Sequence, residues 1–290
     1  MREDLVLSPR AKYIWAKNNT QADDKVIFRR WFEADPKPEK ARAYLFSETK
    51  YWLYINEELV VFEGGLFRES KPGCGYADEV DLAPYLKPGQ NLLAAVVFYY
   101  GNEGRNNTDS GQAGFLLDCE ALQLYSDDRF FCKRHGGYYH VEDSRSSHLF
   151  GGWDLGVLAD SPDHGFFRYG ADENGYVPAT EYENTVWGSC CLRPVPLIRR
   201  FPGQSLPFSV ISGCEAVVKL PYAMAFSPRF RVEAAGGEKI ILQTDRYEVP
   251  GGPGDQHNRY YGLRIEYICK AGINEFESLQ YLYGEAFFLS

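Results

Sequence analysis

The sequence predicts an all-β protein organised as two antiparallel β-sandwich domains. Three observations carry that prediction. The chain holds 21 Tyr, 19 Phe and 5 Trp against only 2 Met, and aromatic side chains favour pleated, half-buried strand surfaces. Short apolar or alternating runs recur along it, separated by residues that bend or stop the chain. Nowhere do apolar residues keep the i, i+3, i+4, i+7 spacing of an amphipathic helix over three turns, so helices are expected to be minor.

In the first part of the chain, strand-length runs fall at 26–32, 41–46, 51–55, 59–62, 91–100 and 114–119. Between them stand Asp35-Pro36-Lys37-Pro38, Asn56-Glu57-Glu58, Gly64-Gly65, Pro72-Gly73 and Pro88-Gly89, which are turn chemistry. From about residue 125 the rhythm loosens into isolated aromatics broken by Gly136-Gly137, Gly151-Gly152 and Asp172-Glu173-Asn174-Gly175. The segment Leu192-Arg193-Pro194-Val195-Pro196-Leu197 is proline-spaced. Each residue before a proline is driven to extended geometry, so this reads as a linker. A second set of strands is expected at 216–220, 229–234, 239–244, 263–269, 276–283 and 285–289, with a hairpin turn at Ala235-Gly236-Gly237-Glu238 and a loop at 250–254. The resulting plan is a first domain over 1–191 that includes the loose return segment, a linker at 192–204, and a second sandwich over 205–290.

The formal net charge is −9 and the pI about 5.2. Without a dense Lys/Arg stripe this disfavours nucleic acid, whose backbone is held mainly by electrostatics. No run approaches the ~18 apolar residues that span a bilayer, so no membrane partner is expected. The charged start Met1-Arg2-Glu3-Asp4-Leu5 lacks the pattern of a signal peptide, and a cytoplasmic location follows for the chain as given. Seven cysteines with no C-x-x-C spacing predict buried free thiols rather than a disulfide framework or a thiolate zinc site.

Few residues are arranged for chemistry. Asp23-Asp24, Glu57-Glu58 and Asp127-Asp128 are neighbours only in sequence. Adjacent side chains on a strand point to opposite faces, so these read as turn and surface charge rather than a glycosidase pair. The five histidines, at 135, 140, 148, 164 and 257, never take a metal-binding spacing; a pair formed in space stays open. No nucleophile elbow, Walker loop or dinucleotide fingerprint is present. Two groups remain as candidates. Trp31, Trp52, Tyr54, Tyr99 and Tyr100 offer the flat faces and hydroxyls that stack on a pyranose, although Trp52 with Tyr54, and Trp31 with Arg29, share strand faces that would equally line a core. The loop Asn102-Glu103-Gly104-Arg105-Asn106-Asn107-Thr108-Asp109 is dense in side-chain oxygens, which suits a hard cation or a simple solvated turn.

The run Phe28-Arg29-Arg30-Trp31-Phe32, followed by the hairpin Tyr51-Trp52-Leu53-Tyr54-Ile55-Asn56 to Val60 and then by Val80-Asp81-Leu82-Ala83-Pro84-Tyr85-Leu86-Lys87-Pro88-Gly89-Gln90-Asn91, resembles the N-terminal β-sandwich of bacterial α-L-rhamnosidases. Trp187-Gly188 with the segment 192–200 is similar to the connector leaving that domain. Gly237-Glu238-Lys239-Ile240-Ile241-Leu242-Gln243 with residues 276–284 resembles the sandwich that follows. The resemblance covers nearly the whole chain in order.

It implies a galactose-binding-like jelly roll for the first domain. In that family hydrolysis belongs to an (α/α) barrel carrying acidic residues as general acid and base. Neither helical repeats nor an acidic barrel motif has a counterpart in these 290 residues, and no catalytic residue is carried over. The expected function is a non-catalytic accessory and scaffolding portion of an α-L-rhamnosidase-like glycoside hydrolase. The alternatives are a stand-alone carbohydrate-binding protein and, third, a hydrolase with an interdomain site. The candidate sugar contacts are Trp52, Tyr54, Tyr99, Tyr100 and Arg105; some rhamnose-binding modules of this type depend on calcium, and the candidate calcium ligands in the 102–109 loop are Asn106, Asn107 and Asp109. No cofactor is required on this reading. The expected partners are a rhamnose-containing glycan and either the catalytic barrel or a second copy, met through an exposed apolar face on the second sandwich.

Overall fold

The computed structural model describes residues 4–17, 20–104, 107–142, 144, 152–182, 189–244 and 264–290. The protein is all-β, and it divides into two compact units, Met1–His135 with Pro162–Arg200, and Gly136–Ser161 with Phe201–Ser290.

The first unit is a sandwich of two sheets. One has the order Thr180–Tyr182, Tyr13–Trp15, Phe115–Cys119, Arg42–Ser47, Cys74–Asp81, Ser189–Leu192. The other has the order Val177–Pro178, Phe131–Arg134, Asp24–Ala34, Gly89–Tyr99, Lys50–Ile55, Glu58–Gly64. At the centre of the second, Asp24–Ala34 pairs antiparallel with Gly89–Tyr99 in unbroken register from Asp24 opposite Tyr99 to Ala34 opposite Gly89. The run 92–99 is apolar without alternation because both its faces are covered: Leu93, Ala95, Val97 and Tyr99 join the core between the sheets, and Leu92, Ala94, Val96 and Phe98 are buried on the other side. The core itself gathers Trp15, Phe28, Tyr51, Leu53 and Phe115, with Phe28 and Phe115 stacked at 5.3 Å.

One buried carboxylate ties several of these elements together. Asp78 accepts hydrogen bonds from the Tyr51 hydroxyl (2.9 Å), the Gly65 amide (2.7 Å) and the Arg193 guanidinium (3.0 Å). The Arg193 amide also donates to the Ala77 carbonyl at 2.9 Å. Leu192 and Arg193, expected to open a linker, are therefore fastened to the first unit.

The second unit has a seven-stranded sheet, in the order Tyr138–His140, Leu155–Leu158, Arg264–Ile268, Lys239–Thr244, Leu282–Leu289, Glu215–Phe226, Phe208–Ser212. A ribbon of Arg229–Ala234 and Gly272–Glu277 lies against it, with Phe230 and Phe276 at 5.1 and 4.9 Å from Tyr267. Asn274 holds the turn before Gly272–Glu277, donating to the Lys270 and Gly272 carbonyls and accepting from the Lys270 amide. Asn91 does the same in the first unit with Lys87 and Gly89. Lys-x-Gly-x-Asn is thus one turn used twice.

Some expectations change. Gly136–Ser161, assigned from sequence to the first domain, belongs to the second unit, where Leu155–Leu158 pairs parallel with Arg264–Ile268. Its strands are three and four residues long and pair with each other, and Leu155–Leu158 joins them to the sheet through a partner more than a hundred residues away, a signal that local periodicity does not carry. A second parallel pair joins Ser189–Leu192 to Cys74–Asp81, so the pairing is antiparallel with two exceptions among the described strands. The run expected at 276–283 is broken between Glu277 and Leu282, where Ser278 and Gln280 are buried. The loop at 250–254 lies outside the described residues. All seven cysteines are free thiols, but Cys214 is exposed rather than buried. The edge strand Phe208–Ser212 exposes Phe208 (65%), Val210 (71%) and Ile211 (53%).

Candidate functional site at the rim of the first sandwich

At one end of the first sandwich the strands Asp24–Ala34 and Lys50–Ile55 begin and Gly89–Tyr99 ends, so their polar flanking residues converge. Lys25 and Lys50 stand opposite Phe98 from its two neighbouring strands, and hence on one face with it. The Lys25 ammonium binds the Asp23 carboxylate at 2.5 Å and lies 5.7 Å from the centre of the Phe98 ring. Lys50 pairs with Glu63 and lies 5.9 Å from the Tyr100 ring. Burial pushes the Lys25 pKa down, against the pull of Asp23. Asp23 reaches this position through a left-handed turn (φ 61°) whose amide donates to the Tyr100 carbonyl.

The loop after Tyr99 is tied onto this end. Glu48, 1% exposed, accepts from the Ser110 amide at 2.8 Å. Asp109 accepts from the Tyr99 hydroxyl (3.0 Å) and the Gly111 amide (3.2 Å). Burial and then the Asp109 carboxylate hold the Tyr99 pKa far above its ordinary value. Asn107 is buried and donates to the Asn102 carbonyl at 2.6 Å. Both amide atoms of Asn102 and the Asn107 Oδ1 are buried and have no hydrogen-bond partner among the described residues. An unmade bond at such an atom costs about 1–3 kcal/mol; the two oxygens are acceptors of the kind a hydroxyl group or a hard cation takes, and the Asn102 Nδ2 is a donor.

The predicted sugar contacts fare differently. Trp52, Tyr54, Tyr99 and Tyr100 are 0%, 8%, 3% and 3% exposed, so none presents a free face to a pyranose. Trp52 packs on Phe98 and Phe62, and Tyr54 stacks on Phe167. Arg105 and Asn106 lie outside the described residues. Of the predicted calcium ligands, Asn107 and Asp109 share the rim loop. Asp109 spends Oδ1 on Tyr99 and Gly111, and the oxygens of Asn102 and Asn107 remain; hard donors are present, though fewer than the six to eight that calcium takes.

No family model and no curated protein matches the sequence. Among solved structures, the chain superposes on the α-L-rhamnosidase from Aspergillus terreus with a TM-score of 0.74, at 17% identity, over 97% of this chain and 34% of that one. It superposes on the Streptomyces avermitilis α-L-rhamnosidase complexed with L-rhamnose with a TM-score of 0.69, at 16% identity, over 93% and 27%. The fold is shared with α-L-rhamnosidases. The chain spans about a third of their length.

Within this rhamnosidase-like fold, sequence reasoning missed the other side of the rim's own sheet. Lys25, Arg29, Trp31, Lys50, Trp52 and Tyr54 lie on the face turned away from the inter-sheet core, since Val26, Phe28, Tyr51 and Leu53 occupy the core. The segment after Pro162 covers part of that face. Tyr169 stacks on Trp31 at 5.7 Å, Arg29 donates to the Arg168 carbonyl, and Lys133 binds Asp163 at 2.5 Å. His135 lies 5.2 Å from His164, the spatial pair that spacing left open. Burial, and then His164, depress the His135 pKa from 6.5 to about 3. Asp23, Asp24 and Asp127 are also buried rather than surface charge, paired with Lys25, Arg134 and Arg129. Glu57 and Glu58 sit at the exposed tip of a hairpin, as expected. His148 and His257 lie outside the described residues.

Proposed function

We propose that this chain is a non-catalytic, scaffolding β-sandwich portion of an α-L-rhamnosidase-like glycoside hydrolase. The observation that carries the reading is the superposition of nearly the whole chain on about a third of the rhamnosidases, across both units. Its partner on this reading is a catalytic domain of the same enzyme class, and the uncharged, exposed strand Phe208–Ser212 is a place where such a domain would pack. Titrating the chain with an isolated α-L-rhamnosidase catalytic domain by calorimetry tests this. Saturable heat that weakens in Phe208→Lys supports the reading, and no heat counts against it.

A second reading, a carbohydrate-binding protein, is favoured by Asn102 and Asn107, whose buried amide atoms suit a hydroxyl-rich ligand or calcium. Here the rim loop, rather than the buried aromatics, supplies recognition, with Asp109 held in place by Tyr99. Calorimetry with L-rhamnose and galactose, with calcium and then with chelator, decides it. Heat abolished in Asn107→Leu supports this reading, and silence with every sugar ends it.

A further inference from the structure

We propose that Cys74, Cys191 and Asp4 form a binding site for a thiophilic divalent cation of the zinc class. The strands Cys74–Asp81 and Ser189–Leu192 run parallel, with Ser189 opposite Cys74 and Cys191 opposite Tyr76. Cys74 and Cys191 are thus two positions apart on the same face of the ladder, and their sulfurs come within 3.4 Å. The Leu5 amide donates to the Cys190 carbonyl at 2.6 Å, which lays the preceding Asp4 over the thiols. A carboxylate oxygen of Asp4 and both sulfurs lie within 4.8 Å of one another.

The separation of the sulfurs distinguishes a metal from a disulfide. Two Zn–S bonds of ~2.3 Å at a tetrahedral angle place the sulfurs about 3.8 Å apart, so the pair needs to open by only ~0.4 Å. A disulfide bond of ~2.05 Å needs them to close by about 1.3 Å. Two residues along a strand and one strand across amount to roughly 8 Å between Cα atoms in a regular ladder, beyond the ~6.8 Å that disulfides usually span. The cysteines are placed to share an ion more readily than a bond.

Charge and donor type agree. Two thiolates and the Asp4 carboxylate carry three negative charges, which a divalent cation and Lys71, 2.6 Å from Asp4 Oδ1, balance. A carboxylate has two oxygens, so Asp4 can pair with Lys71 through Oδ1 and still offer an oxygen to the metal. Sulfur ligands select zinc-class ions over calcium or magnesium. Binding releases both thiol protons to solvent as two metal–sulfur bonds form. Three protein ligands leave a fourth position for solvent, and Ser70 Oγ accepts from the Cys191 thiol at 2.9 Å. Occupancy would fasten the start of the chain to the sheet edge.

The test uses the reduced, metal-free full chain titrated with Co²⁺ and then Zn²⁺. One equivalent of Co²⁺ should give a thiolate-to-metal charge-transfer band and tetrahedral visible bands, both displaced by Zn²⁺. Cys74→Ser and Cys191→Ser should remove the charge-transfer band, Asp4→Asn should weaken binding at least tenfold, and Cys214→Ser should change nothing. Because a cysteine variant can fail to fold, the unmodified chain is also alkylated with and without Zn²⁺, and protection is read at Cys74 and Cys191 by peptide mass spectrometry. Absence of the charge-transfer band, equal alkylation with and without zinc, or a Cys74–Cys191 disulfide in protein purified without reductant would each overturn the proposal.

Discussion

The Tyr54 ring lies flat on Phe167, with centroids 4.5 Å apart and planes 12° from parallel. An aromatic face that the sequence offers to a sugar is thereby occupied by the protein's own segment after Pro162. Burial pushes the Tyr54 hydroxyl pKa up to about 12, in keeping with a packing role. Tyr54→Ala is therefore expected to cost about 3–5 kcal/mol in urea unfolding, as large aromatic truncations do, and to leave any saccharide titration unchanged in the fraction that remains folded. Lost sugar binding at unchanged stability would reverse this assignment.

Asp78 should behave as a structural anchor. Its replacement by Ala leaves the Arg193 guanidinium, the Tyr51 hydroxyl and the Gly65 amide without their acceptor. Breaking a buried pair by removing one partner costs about 3–5 kcal/mol. Equilibrium denaturation reads this directly, and a loss below ~1 kcal/mol would mean the three donors find other partners.

Gly64 tests packing around the same tyrosine. A Cβ there would stand 2.3 Å from Tyr51 Cζ, and Tyr51 is fully buried with its hydroxyl held by Asp78. Gly64→Ala is expected to destabilise by about 1–3 kcal/mol through overpacking. Gly73 has φ +73° but nothing within 4 Å of an added Cβ, so Gly73→Ala should cost only the backbone strain, about 1 kcal/mol. Comparing the two midpoints separates steric from conformational cost.

His135 sets an acid limit. Its folded pKa is depressed to about 3 by burial and by His164, whereas the unfolded side chain titrates near 6.5. Between those values the unfolded chain binds more protons, so stability rises with pH. The contribution is complete above about 6.5 and is lost as pH falls toward 3, with a slope of at most ~1.4 kcal/mol per pH unit. Denaturation midpoints measured from pH 7 to 4 should fall, and His135→Gln should flatten that decline; an unchanged slope in the variant would show that His135 is not the group responsible.

How much of this was legible follows from what each signal depends on. The strands around Val26, Leu53 and Val96 were readable because their apolar runs and turns are local. The Pro88-Gly89 turn was readable as chemistry, but its lock, Asn91, needs the folded chain, as does its copy at Asn274. Alternation correctly placed Trp52 and Tyr54 on one face. It could not say that Tyr51 and Leu53 take the inter-sheet core while Tyr54 meets Phe166 and Phe167, more than a hundred residues away. The short strands Tyr138–His140 and Leu155–Leu158 pair with each other, but they join the second unit through the pairing of Leu155–Leu158 with Arg264–Ile268, so that membership left no local trace. Asp23 and Lys25 look like surface charge in a sequence, and only the fold buries them as a pair. Asn102 and Asn107 were marked by the density of polar atoms in their loop, and the structure adds that some of those atoms are buried without partners.

The most direct test of the central claim is turnover of an aryl α-L-rhamnoside by the purified chain. A non-catalytic scaffold predicts release of the aryl alcohol no faster than in buffer at any chain concentration. Release that scales with chain concentration, saturates with substrate and disappears when a single buried carboxylate is replaced in a folded variant would contradict it.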